Sequence, residues 1–156
     1  MNERLEYQQL ECYKLANDMQ KEKLNREPYF DLGKLPGKQL QTEFAEYIYY
    51  RGTQVSILTI KAERQHFNSL CEFFKKPSHQ KNSLLDREKD IWIKQLKLWM
   101  MQNGRALTKH KVTSIQTESV EKAALIRYFE NLLEFTLDRS ETNELAKDIW
   151  NAISWP

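Results

Sequence analysis

Apolar residues recur three and four positions apart through most of the chain, the spacing of helices that bury one face. Leu40, Phe44, Tyr47 and Ile48 set out one such stripe and predict a helix from Lys38 to Arg51, with Gly52 placed to end it in the left-handed conformation. A helix from Gln54 to Lys76 follows. Thr53 or Ser56 can cap it, and Ile60, Phe67, Leu70, Cys71 and Phe74 line one side. Lys61, Arg64, Gln65 and Asn68 line the other. The run from Val55 to Ile60 has strand propensity, but its continuation is helical until Pro77 stops it. The next helix begins near Ser83 or Asp86, buries Ile91, Trp92, Leu96, Trp99 and Met100, and ends at Asn103-Gly104. After a polar connection from Arg105 to Gln116, a helix from Glu118 to Leu137 presents Ala123, Ile126, Phe129, Leu133 and Leu137. A last one runs from Glu141 to Ile153.

Residues 3–25 carry a more ragged pattern, Leu5, Leu10, Cys12, Ala16 and Met19, which reads as a polar helix dependent on a partner. Pro28, Gly33, Pro36 and Gly37 then break the chain. The expectation is an all-α protein. An N-terminal helix and linker (1–36) form an arm before a four-helix bundle (37–138), and a C-terminal helix (139–156) follows.

Composition agrees with this picture. Hydrophobic residues make up 40% of 156 residues and aromatics 12%, enough for a sizeable core, and Gly and Pro number only four each. No apolar run approaches the roughly 20 residues of a membrane span, and the N-terminus lacks a signal-peptide core. Cys12 and Cys71 stand far apart without metal-ligand spacing and read as buried thiols of a reducing, cytoplasmic protein. The net charge of +2 conceals an asymmetry. Residues 37–116 hold 14 Lys/Arg against 7 Asp/Glu, whereas residues 117–156 hold 4 against 8. From Ile91 to Thr117 the charged residues are Lys94, Lys97, Arg105, Lys109 and Lys111, with no acid among them. A positive field of this kind attracts polyanions, although a solvated basic loop explains it equally well.

No catalytic constellation stands out. His66 reads as a partly buried flank histidine, His79 lies in a loop, and His110 sits between two lysines. The glycines are isolated rather than grouped into a phosphate loop, and no cluster has zinc spacing, so no cofactor, metal or small-molecule ligand is expected. Asp86, Glu88 and Asp90 suit a helix N-terminus, and Trp92 and Trp99 suit the core. One constellation does suggest a partner. Thr53, Ser56, Thr59, Lys61, Arg64 and Gln65 gather at the start of one helix. Thr117, Ser119, Lys122 and Arg127 gather at the start of another, with the basic connection between them. Helix N-termini, hydroxyls and cations are the groups that grip DNA phosphates.

The stretch from Tyr47 to Phe74, with Arg51-Gly52-Thr53, a spaced series of basic and apolar residues and a closing Phe73-Phe74, resembles the start of the core-binding domain of tyrosine recombinases, the phage-integrase family. Ser119, Lys122, Arg127 and Leu132-Leu133-Glu134-Phe135 resemble that domain's last major helix, so the likeness spans roughly Leu40 to Leu137. It implies a four-helix, SAM-like bundle gripping duplex DNA of a recombination half-site beside other recombinase subunits. Strand cleavage would fall to a separate domain with Arg, Lys, His and a nucleophilic Tyr. This chain departs from the whole-family pattern in having no Arg-x-x-Arg or His-x-x-Arg segment, and it is expected to precede a catalytic domain and to lack activity itself. The expected DNA contacts are Arg51, Thr53, Thr59, Lys61, Arg64, Lys109, Lys111, Ser119, Lys122 and Arg127. Two rival readings are a helical protein-interaction module that uses the basic surface, and a small enzyme with an unfamiliar helical site.

Overall fold

The computed structural model describes residues 3–24, 26–103 and 115–153, with side chains of the last helix described for 120–143. The described chain is all-α apart from one small hairpin. It comprises β1 (Arg4–Glu6), α1 (Glu11–Lys14), α2 (Asp18–Glu22), β2 (Tyr29–Asp31), α3 (Lys38–Arg51), α4 (Ile57–Phe74), α5 (Lys89–Gln102) and α6 (Ile115–Ile153). The last four are the long helices. No described helix is long and apolar enough to cross a membrane.

Helix α3 has the expected bounds, and Leu40, Phe44, Tyr47 and Ile48 are all buried. Gly52 does not adopt a left-handed conformation; its φ is −62°. Its lack of a side chain matters for a different reason, since a Cβ there would stand 3.1 Å from Leu10 Cβ. Helix α4 starts at Ile57, later than expected, with the Ser56 hydroxyl accepting from the Thr59 amide at 3.3 Å. Its aromatic C-terminal half is the centre of the core. Phe73 and Phe74 meet Trp92 and Phe129 edge to face, and Phe44 packs on both Phe67 and Phe74. Such pairs add about 0.5–1.5 kcal/mol beyond the area they bury.

Between α4 and α5 the chain forms two tight turns, Pro77–His79 and Leu84–Asp86, so α5 begins at Lys89 rather than at Ser83 or Asp86. Ser83 and Asp86 still form their reciprocal cap, but around the turn. The buried Glu43 carboxylate of α3 secures this connection. It accepts from the Ser83 hydroxyl at 2.6 Å and from the Leu84 amide at 2.8 Å. Trp92 Nε1 donates to the Leu84 carbonyl at 2.8 Å. Along α5, Trp92, Leu96, Trp99 and Met100 are buried as expected, but Ile91 is 46% exposed and Ile93 takes its place in the core.

The two C-terminal helices expected from the sequence are one. Helix α6 runs unbroken for 39 residues, about 58 Å at the α-helical rise, against about 27 Å for the 18 residues of α4. Asp138-Arg139-Ser140 contains no Pro or Gly to break it, and Arg139 pairs with Glu46 of α3. The buried stripe is Leu125, Tyr128, Phe129, Leu132 and Leu133; Ala123 and Leu137 face solvent. Lys89 pairs with Glu134 and Trp92 meets Phe129, so α5 and α6 run antiparallel.

Residues 3–25 do not form one helix. Leu5 lies in an extended strand and Tyr7 opens the turn that follows it, and both are buried. β1 pairs antiparallel with β2, Leu5 opposite Phe30. Tyr7, Leu10, Cys12 and Phe30 join the core shared with α3 and α4, and Phe30 packs edge to face on Phe67 at 5.2 Å. The segment thus supplies core residues to the bundle. Its two short helices leave Leu15 and Met19 in solvent.

Candidate nucleic-acid interface

Five of the ten expected contacts lie around the N-terminal half of α4, and most of them already have partners inside the molecule. Arg51 Nε donates to Glu63 Oε1 at 2.9 Å. Burial works against the charge on Arg51, but the hydrogen bond and charge of Glu63 outweigh it and raise its pKa. Arg64 Nε donates to the Tyr29 carbonyl at 2.9 Å and its Nη2 to Glu27 Oε2 at 2.7 Å. Lys61 Nζ donates to the Lys23 carbonyl at 2.7 Å. Thr53 donates to the Tyr50 carbonyl, and the Thr59 hydroxyl lies 3.2 Å from that of Ser56. The cations read from the sequence as DNA contacts are therefore also the ties between α4, the end of α3 and the N-terminal segment. A guanidinium fork that finds a carbonyl and a carboxylate on its own chain will take them.

The other five lie elsewhere. Lys109 and Lys111 are outside the described residues, as is His110, and Ser119 lies in α6 where side chains are not described. Lys122 is half-buried and has partners within the molecule, whereas Arg127 is exposed. Arg127 stands seven residues before Glu134 and so shares its side of the helix. The antiparallel pairing sets Lys97 at about the level of Arg127 along the bundle.

Two cations outside the expected set emerge here. Lys94 and Lys97 stand exposed on the outer face of α5, beside Met101 and Leu98. Neither forms an ion pair with a described residue. The acid-free run from Ile91 to Thr117 contains both, and the stripe of Trp92, Leu96 and Trp99 leaves them on the opposite face of the helix.

The buried titratable groups are arranged for packing. Tyr128, raised well above the usual tyrosine range by burial, sits against Tyr47 and His66. Burial pushes the Cys71 thiol up to about 12 and lowers the pKa of His66. His79 is buried, stacked on Phe73 at 4.0 Å, with Nδ1 2.8 Å from the Phe73 carbonyl; burial lowers its pKa as well. Among the described residues no group of three His, Cys, Asp or Glu side chains is placed to hold a metal. A shallow open depression of about 580 Å³ lies between α1–α2 and the α3–α4 turn, lined by Leu15, Ala16, Thr53 and Val55 among others.

Fold and surface together define an all-α module whose exposed cations include Lys94 and Lys97 on α5, Arg127 on α6 and Lys61 near the start of α4. Comparison with protein-family models, with curated proteins and with solved structures finds no match to this chain.

Proposed function

We propose that this chain is a duplex-DNA-binding module of the tyrosine recombinase type, gripping a recombination half-site mainly through phosphates, in the cytoplasm and beside other recombinase subunits. One observation carries the reading. Lys94, Lys97 and Arg127 are exposed on the α5–α6 pair, and the chain that joins these two helices contains Arg105, Lys109 and Lys111. A helical frame with cations left over from its own ion pairs suits counterion release on a polyanion. The buried free thiols Cys12 and Cys71 accord with a reducing compartment. In this reading strand cleavage belongs to a separate domain and no reaction is assigned to the bundle.

The test is titration of a labelled duplex at several salt concentrations. Binding should weaken with salt, the log–log slope being about −0.9 per phosphate neutralised. A flat plot, or no binding at low salt, removes the reading. A helical protein-interaction module is the second reading, favoured by the exposure of Leu98 (58%) and Met101 (79%) beside Lys94 and Lys97. It predicts a folded chain that ignores duplex DNA.

A further inference from the structure

The turn before β2 lies on the basic side of α4. Lys61 holds it by the Lys23 carbonyl, and Arg64 holds it by the Tyr29 carbonyl and the Glu27 carboxylate. Two exposed cations, Lys23 and Arg26, are thereby brought to the helix that carries Lys61 and Arg64, although 35 or more residues separate each from its counterpart in sequence. Neither Lys23 nor Arg26 forms an ion pair with a described residue. Lys61 donates to a neutral carbonyl, so its charge is not cancelled there. Glu22 and Glu27 are the only acids from Lys21 to Tyr29.

Glu27 is the unusual member of this group. Its φ is 47°, in the left-handed region that a side chain disfavours, and it immediately precedes a proline, which restricts it further. It nevertheless places its carboxylate, 66% exposed, on the Nη2 prong of Arg64. The guanidinium fork donates to carboxylate and phosphate oxygens in the same geometry. The other prong, Nε to Tyr29, is independent of Glu27 and would keep the hairpin anchored if Glu27 moved away.

We propose that Lys23, Arg26, Lys61 and Arg64 form a second face for the sugar–phosphate backbone of duplex DNA, and that Glu27 occupies the Arg64 fork as an intrachain stand-in for phosphate, which lowers the affinity of that face. This inference rests on the DNA reading above. The electrostatics are local: a carboxylate on the fork cancels one charge and fills one donor, and a phosphate oxygen that replaces it restores the same bond.

The experiment uses the full chain and a labelled duplex of about 20 base pairs, read by fluorescence anisotropy across a salt series. Glu27→Gln should bind about 3- to 10-fold tighter and steepen the salt slope by about one. The double variant Lys23→Ala/Arg26→Ala alters only exposed side chains. It should bind about 10-fold more weakly and flatten the slope by up to about two. If both variants bind as the parent does while Lys94→Ala/Lys97→Ala binds more weakly, the second face is wrong and the DNA reading survives. If parent and Glu27→Gln both ignore duplex at low salt, the DNA reading itself fails. Binding of a polyglutamate peptide through Lys23 and Arg26 without any binding of duplex overturns the assignment in favour of an acidic protein partner.

Discussion

The two halves of α4 are held in place by different physics. From Phe67 to Phe74 the helix is fixed by aromatic packing against α3, α5 and α6. From Ile57 to His66 it buries Ile57 and Ile60 and is held besides by polar ties, Arg51–Glu63, Lys61–Lys23 and Arg64 to Tyr29 and Glu27. Packing of this kind is insensitive to salt and intolerant of lost volume. Ties at a partly exposed surface are weaker and screened, and anions can compete for them. The half of the helix that sequence reading assigns to DNA is thus the half whose charges the fold already uses.

The largest effect should come from the packed half. Phe73 touches Phe74, His79, Trp92, Trp99 and Phe129, and its truncation leaves a cavity ringed by aromatics. Phe73→Ala should cost about 3–5 kcal/mol in urea unfolding. A cost below about 1 kcal/mol would mean that this aromatic cluster is not the centre of the core.

The tied half comes next. Arg64 is only 19% exposed and makes one charge-assisted bond to a carbonyl and one to a carboxylate. Arg64→Ala should cost about 1.5–3 kcal/mol, and part of that loss should disappear when the comparison is repeated in high salt. Phe73→Ala should show no such salt dependence. If both variants respond to salt alike, the distinction between the halves is lost.

How much of this was legible in the sequence depends on the distance between partners. The bounds and buried face of α3 follow from its own residues, because Leu40, Phe44, Tyr47 and Ile48 repeat at helical spacing. Helix α6 reads as two helices either side of Asp138-Arg139-Ser140, although no Pro or Gly there breaks a helix and Arg139 finds its partner Glu46 some 93 residues back. The hairpin was not legible. Its strands are three residues each and lie 25 positions apart, so neither shows a periodic signal of its own. The candidate site fails in the same way. Lys61 and Arg64 look like free cations until residues 23–29 arrive, and Ile91 looks like core until the orientation of α5 is fixed by Trp92 and Ile93.

A smaller effect should appear with pH at two histidines, His66 in the middle of α4 and His79 in the turn that follows it. Burial lowers the pKa of both His66 and His79; at His79 it outweighs the Phe73 carbonyl, which favours the proton, and the charges of Lys76 and Arg87 add to it. The native state therefore holds these rings neutral, while the unfolded chain takes up protons as the pH falls through about 6.5. Their contribution to stability is complete above that value and shrinks as the pH drops towards their native pKa values. The urea midpoint should fall between pH 7.5 and 5.0, and His79→Gln should reduce that fall. An identical pH profile for parent and variant would show that His79 is not held neutral by its burial against Phe73.

The smallest effect on stability is expected where the cations are exposed. Lys94 and Lys97 lie on the outer face of α5 and form no ion pair with described residues, so Lys94→Ala and Lys97→Ala should each change unfolding free energy by no more than about 0.5 kcal/mol. Their effect on duplex binding should be larger, each lowering the salt slope by about one if the side chain meets a phosphate. Arg64→Ala mixes the two readouts, because it loosens the tie that holds residues 27–29. The contrast decides what the charge of this chain is for. Cations that change affinity without changing stability belong to a partner, and cations that change both belong first to the fold. If Lys94→Ala and Lys97→Ala leave both unchanged, the positive field along α5 is solvated surface, and the DNA contacts must be sought at Arg127, in the Arg105–Lys111 segment or on the Lys23–Arg26 face.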